Sequence, residues 1–158
     1  MHPPILETRS LLWPDEAACE RWAQQLATRT GVRQAFIELH GTLGAGKTTL
    51  TRHLLRALGV SGRIKSPSYA VVEPHAAPDL QAWHFDFYRF NDPHEWEDAG
   101  LRDIFAGPGL KLVEWPEQAG GLLPVPDLAV HLEPLPQADT QRRVRLEAYT
   151  PRGQDLIA

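Results

Sequence analysis

The sequence predicts an α/β fold: a mixed sheet with antiparallel strands added at the edge and helices on both faces. Three observations lead there. Short apolar runs interleave with segments of helical period in the earlier part of the chain. Later segments alternate apolar and polar residues, as half-buried antiparallel strands do. A glycine-rich turn, Gly41 to Gly46, stands between a buried run and a helical one.

The elements follow in order. Ser10 to Trp13 reads as a short opening strand. Asp15 to Thr30 reads as a helix, with Asp15 as cap, Ala18, Trp22 and Leu26 at helical spacing, and Gly31 as the stop. Phe36 to Leu39 is apolar and partly branched, which predicts a buried strand. Lys47 to Leu58 predicts a helix with Leu50, Leu54, Leu55 and Leu58 on one face and Gly59 at its end. Gly62 to Pro67 reads as a loop, Tyr69 to Glu73 as extended chain, and Pro74 to Asp79 as a turn.

Gln81 to Phe90 is the clearest strand, with Trp83, Phe85 and Phe87 on one face and His84, Asp86 and Tyr88 on the other. Asp92 to Ala106 predicts one or two short helices broken at Gly100. Leu110 to Glu114 predicts a strand that Trp115-Pro116 ends. Leu128, Val130 and Leu132, then Val144, Leu146 and Ala148, predict an antiparallel pair turning through Pro134 to Thr140.

The 158 residues, 42% of them hydrophobic, predict one domain spanning the chain, 1–158, with its own core. The formal charge of −4 argues against gripping DNA or RNA by charge alone. Arg142, Arg143 and Arg145 read as a solvated strand face. Cys19 is the only cysteine, so no disulfide framework or thiolate zinc site is expected. The N-terminal residues show no basic stretch followed by an apolar one, and no run reaches the ~20 residues that a bilayer span needs. A cytoplasmic location and no membrane partner are the expectations.

Gly41-Thr42-Leu43-Gly44-Ala45-Gly46-Lys47-Thr48 matches the phosphate-binding loop pattern G-x-x-x-x-G-K-[ST], or Walker A, between a predicted strand and a predicted helix. Glycines let the backbone curl so that its N–H groups converge on phosphate oxygens, and the helix start adds further donors and positive potential. Lys47 supplies a mobile cation, and the Thr48 hydroxyl is a hard oxygen ligand suited to Mg²⁺. A second acid is needed at a neighbouring strand end. Asp86 and Glu114 both qualify, and the pattern alone does not separate them. His84 reads as a structural hydrogen-bonder, with no second metal-ligating residue at motif spacing. No N-K-x-D tetrad supports guanine recognition.

Lys65-Ser66-Pro67-Ser68-Tyr69, His84-Phe85-Asp86-Phe87-Tyr88-Arg89 and Leu112-Val113-Glu114-Trp115-Pro116 follow the loop in that order. Together these motifs resemble the bacterial TsaE (YjeE) family over about residues 31–120. The resemblance implies a P-loop NTPase fold and a Mg²⁺-dependent ATPase. It implies a requirement, with TsaB and TsaD, for threonylcarbamoyladenosine on tRNAs reading codons that begin with A, with tRNA met only through the complex. Position by position, Gly44, Ala45, Gly46, Lys47, Thr48 and Thr49 would bind the phosphates of ATP. Thr48 and Glu114 would hold Mg²⁺; of the catalytic pair, Asp86 would position or activate the attacking water and Lys47 would stabilise the γ-phosphate charge. Ser66, Ser68 and Tyr69 match a nucleotide-sensing loop. Thr42 stands where the family usually has Asp, and Ser68 where it usually has Thr. The rival readings are a nucleotide-gated binding module with negligible hydrolysis and a small-molecule P-loop kinase.

Overall fold

The computed structural model describes residues 3–67, 71–90 and 100–158. A seven-stranded sheet runs through it. Its strands in chain order are β1 (Glu7–Trp13), β2 (Phe36–His40), β3 (Val72–Ala77), β4 (Leu80–Asp86), β5 (Leu110–Glu114), β6 (Leu128–Leu135) and β7 (Ala138–Ala148). Their spatial order is β1-β7-β6-β2-β5-β4-β3. The central β6, β2, β5 and β4 are parallel neighbours. β7 and β1 continue the sheet antiparallel on one side, and β3 does so on the other. Antiparallel strands therefore occupy both edges, where the sequence suggested one.

Helix α1 (Glu16–Ala27) starts at Asp15, whose carboxylate accepts the Ala18 N–H at 3.0 Å. Helix α2 (Lys47–Ala57) buries Leu50, Leu54 and Leu55 and is followed by buried Leu58 and by Gly59 at φ 103°. Each such leucine contributes roughly 1.5–3 kcal/mol when fully buried. α1 and α2 share one core with Ile37 and Leu39 of β2 and Leu110 and Leu112 of β5. The opposite face is aromatic: Phe36, Phe85, Phe87 and Phe90 gather around Val113 and Leu101. Helix α3 (Leu101–Ala106) covers that side through Leu101, Ile104 and Phe105, so helices lie on both faces.

Five local expectations differ from the structure. The turn expected through Pro134 to Thr140 is confined to residues 136–137, since β6 runs to Leu135 and β7 starts at Ala138. The turn expected at Pro74 to Asp79 is mostly strand β3, and only Pro78 and Asp79 turn, with Asp79 at φ 62°. Pro74 is tolerated because β3 is an edge strand, where a missing N–H need not break a ladder. The strand expected to reach Phe90 stops at Asp86, because the Asp86 carboxylate accepts the Tyr88 N–H at 2.9 Å and turns the chain. The opening strand begins at Glu7, since β7 is long enough to pair with all of it. A terminal helix, α4 (Pro151–Leu156), was not expected; Thr150 caps it by accepting the Gly153 N–H at 3.1 Å. Of the helical segment expected at 92–106, only α3 falls within the described residues, and it starts after Gly100 at φ 68°. No helix among the described residues is long and apolar enough to cross a membrane.

Candidate active site

Parallel pairing brings the C-terminal ends of β2, β4 and β5 to one side of the sheet. Asp86 lies opposite Glu114, and Leu39 lies opposite Glu114 from the other neighbour. The loop from Gly41 leaves β2 at that side and delivers Lys47 and Thr48 to the first turn of α2. Gly41 and Gly46 have φ of 153° and 111°. At Gly41 a Cβ would come within 2.7 Å of the Leu132 carbonyl, so packing as well as backbone angle requires glycine there.

A cavity of about 250 Å³ opens over the loop, lined by residues 43–49, Asp86, Tyr88, Glu114 and Trp115. The sequence nominated Gly44, Ala45, Gly46, Lys47, Thr48, Thr49, Asp86 and Glu114, and all of them line it. Ser66 lies in the 62–67 stretch, which does not line this cavity, and Ser68 and Tyr69 fall outside the described residues.

Lys47 is 4% exposed; its ammonium donates to the Gly41 carbonyl and stands 3.8 Å from the centroid of the Trp115 ring. Burial lowers its pKa, against the opposing pull of Glu114, Asp86 and Glu117. Trp115 reaches over it from a left-handed backbone conformation, φ 57°, immediately before Pro116.

Glu114 is 3% exposed and is held by two donors. Thr48 Oγ1 donates to its Oε2 at 3.0 Å, and His84 Nε2 lies 2.5 Å from the same oxygen. A hydroxyl and a carboxylate side by side are hard ligands. Among the described residues no group of three or more His, Cys, Asp or Glu side chains is arranged to hold a metal. That donor set fits Mg²⁺, which takes one or two protein ligands and fills its shell with phosphate oxygens and water. Asp86 is half-buried, and its pKa is raised, chiefly by burial and further by Glu114; the Tyr88 N–H, His84 and Lys47 oppose the rise. Such a carboxylate holds a proton more readily than a solvated one, which suits a group that orients or deprotonates water.

A second cavity, about 260 Å³, adjoins the first through Ala45, Gly46 and Thr49. Its far walls are Trp13 at the end of β1, Asp15 and Cys19 at the start of α1, and Asp139, Thr140 and Arg142 of β7. Sequence reasoning did not find it. Arg142 was expected on a solvated strand face, as were Arg143 and Arg145. Those two are more than half exposed, but Arg142 instead donates from Nε to the Ala45 carbonyl at 2.7 Å and from Nη2 to that of Gly44 at 3.3 Å. Its partners are backbone carbonyls 97 and 98 residues away, so no local pattern could announce them. The Cys19 thiol is pushed up to about 12, mainly by burial and also by Glu16 and Glu20, so it serves as an unreactive wall.

The sequence and the fold both have counterparts among known proteins. The family model for threonylcarbamoyl adenosine biosynthesis protein TsaE matches residues 13–144. A Haemophilus influenzae protein named tRNA threonylcarbamoyladenosine biosynthesis protein TsaE is 36% identical over 157 residues, covering 97% of this chain and 98% of its own. A Bacillus subtilis protein of the same name is 34% identical over 120 residues, covering 76% and 73%. The crystal structure of Bacillus subtilis YdiB superposes with a TM-score of 0.78 at 25% identity, covering 96% of this chain and 92% of that one. The family match runs from Trp13 to Val144, most of the chain, and the chain belongs to the TsaE family.

Proposed function

We propose that this protein binds and hydrolyses Mg²⁺-ATP in support of threonylcarbamoyladenosine formation on tRNA, working with TsaB and TsaD. The observation that carries the hydrolytic part is the meeting of Thr48 and Glu114 at 3.0 Å beside the phosphate loop. The pathway rests on the names of the relatives, and the TsaB and TsaD partnership on the family resemblance. tRNA is met through the complex, in keeping with a net charge of −4.

In this reading, the loop backbone N–H groups and the Lys47 ammonium take the β- and γ-phosphates. Lys47 exchanges its Gly41 carbonyl and Trp115 ring for phosphate oxygens. Thr48 and Glu114 hold Mg²⁺, which when bound neutralises charge building between the phosphates. Asp86 orients the attacking water and accepts its proton. The nucleoside end lies in the adjoining cavity, between Trp13 and Cys19 on one side and Arg142 on the other. Phosphoryl transfer asks for positioning and charge stabilisation, and these residues supply both.

The test is phosphate release from Mg²⁺-ATP by the chain alone and with TsaB and TsaD, using Asp86→Asn as control. Slow release alone, faster release with the partners and loss in the variant are expected. No release in any mixture would refute hydrolysis and leave a nucleotide-gated binding module.

A further inference from the structure

His84 is 1% exposed, on the face of β4 that carries Leu80 and Ala82 into the core under α2. Its Nε2 meets Glu114 Oε2, the oxygen that also takes the nearer Thr48 contact. Two donors therefore occupy Oε2. Oε1 has a 3.3 Å contact from the same Thr48 hydroxyl and is the oxygen left to face a cation. Once Thr48 turns its lone pairs to a metal, His84 is the side chain that still fixes the carboxylate. A buried carboxylate without such a partner would be free to rotate and costly to keep charged.

Behind His84 stands a second imidazole. Glu73 of β3 lies opposite His84, and His75 is two residues further along the same face, a diagonal neighbour. The Lys65 backbone, next to Ser66, lies close enough to the His75 ring to act on it. His75 Nε2 and His84 Nδ1 are both buried, and neither has a hydrogen-bond partner among the described residues. Buried polar atoms without a hydrogen bond are uncommon and call for a reason beyond packing.

We propose that His84 is the positioning residue for Glu114, holding Oε2 so that Oε1 is presented to the cation. His75 extends this support to the loop at Lys65 and Ser66, so the metal acid and that loop are placed together. This rests on the Mg²⁺-ATP reading above.

The test uses Mn²⁺ as probe, with a non-hydrolysable ATP analogue. Mn²⁺ affinity is read by electron paramagnetic resonance, and analogue affinity in EDTA by calorimetry. His84→Leu should weaken Mn²⁺ about 10-fold or more, the scale for losing a partner behind a ligand, with metal-free affinity kept. His84→Gln places an amide nitrogen near the lost Nε2 and should recover most of the affinity, whereas His84→Asn is too short to do so. Wild-type Mn²⁺ affinity in His84→Leu, or equal affinities in the Gln and Asn variants should the Leu variant not fold, overturns the role of His84. If the wild-type protein shows no Mn²⁺-dependent binding, the Mg²⁺-ATP reading itself fails. For the second link, Mn²⁺-analogue should slow amide hydrogen exchange at 64–66 in the wild type, and His75→Phe should abolish that slowing with Mn²⁺ affinity retained. Wild-type slowing in His75→Phe overturns the link to the loop.

Discussion

Thr48 Oγ1 and Glu114 Oε2 meet at 3.0 Å, joining the first turn of α2 to the last residue of β5. The pair bridges 66 residues of sequence and closes one wall of the phosphate cavity. Glu114→Gln keeps the shape and removes the charge, so ATP should bind about as well in EDTA as wild type does while the gain from Mg²⁺ is lost. Thr48→Val should lose the same gain and also cost about 1–3 kcal/mol of stability, because a buried carboxylate gives up a donor. Calorimetry with and without Mg²⁺, together with urea unfolding, checks both. A full Mg²⁺ gain in Glu114→Gln would remove Glu114 from the metal site.

Asp86 makes a prediction in which rate and stability separate. Turnover in Asp86→Asn should fall about 10²–10⁴-fold, the range for losing a general base, with ATP affinity retained. The folded pKa of Asp86 is raised, so the folded state binds its proton more tightly than the unfolded one. The native state is therefore favoured at low pH, and this contribution fades as pH rises from the ordinary 3.8 through the raised value. Above that window Asp86→Asn should be at least as stable as wild type, with the difference vanishing on acidification. The acid limb of the wild-type rate profile should also lie above 3.8. Urea titrations at several pH values and a pH–rate profile measure these; a variant less stable at neutral pH would contradict the sign.

Arg142 ties β7, the strand next to the β1 edge, to the glycine-rich loop through the Ala45 and Gly44 carbonyls. Arg142→Met keeps the aliphatic stem and deletes the charge-assisted bonds, each worth about 1.5–3 kcal/mol. On the proposed ATP reading, affinity should drop about 10-fold or more, because the loop loses its brace and the second cavity loses a wall. Arg143→Met, on the opposite face of β7 from Arg142, should leave affinity unchanged. Equal affinities for the two variants would take Arg142 out of the site.

What was legible in the sequence follows the range of the physics involved. Gly41 to Thr48 was legible as the turn between β2 and α2 because its glycines and the helix start are contiguous in sequence. Ile37, Leu39, Leu112 and Val113 read as buried strands because parallel strands covered on both faces are apolar throughout. Asp86 and Glu114 were both visible as strand-end acids, but only the pairing of β4 with β5 sets them side by side. His84 looked like a polar-face residue; the structure buries it against Glu114, a contact with no local signal. Pro74 pointed to a turn because proline is usually read as a strand breaker, and only the sheet order reveals that its strand lies at the edge. Arg142 and the second cavity depend on β7 returning beside the loop, which no window of sequence contains.

The terminal helix α4 shows the same limit and gives the sharpest test of the fold. Pro151 at its first position and Thr150 as cap were local signals, but the helix is short and docks through contacts far away in sequence. Asp127 organises that docking: its carboxylate accepts the Phe36 N–H at 2.8 Å and the Thr150 hydroxyl at 2.6 Å. Gly153 lies so close that a Cβ there would fall 1.8 Å from the Asp127 carbonyl oxygen. No rotamer relieves a clash with backbone, so Gly153→Ala must push α4 off the ends of β6 and β7. The cost should be at least the ~1–3 kcal/mol typical of overpacking, a loss of several degrees in melting temperature for a chain of this size. Gly44→Ala gives the contrast: nothing lies within 4 Å of its Cβ position, but φ is 80°, so backbone strain alone should cost about 1–2 kcal/mol. Thermal unfolding of the two variants separates close packing from backbone conformation, and a Gly153→Ala protein that melts with the wild type would show that α4 does not dock against Asp127.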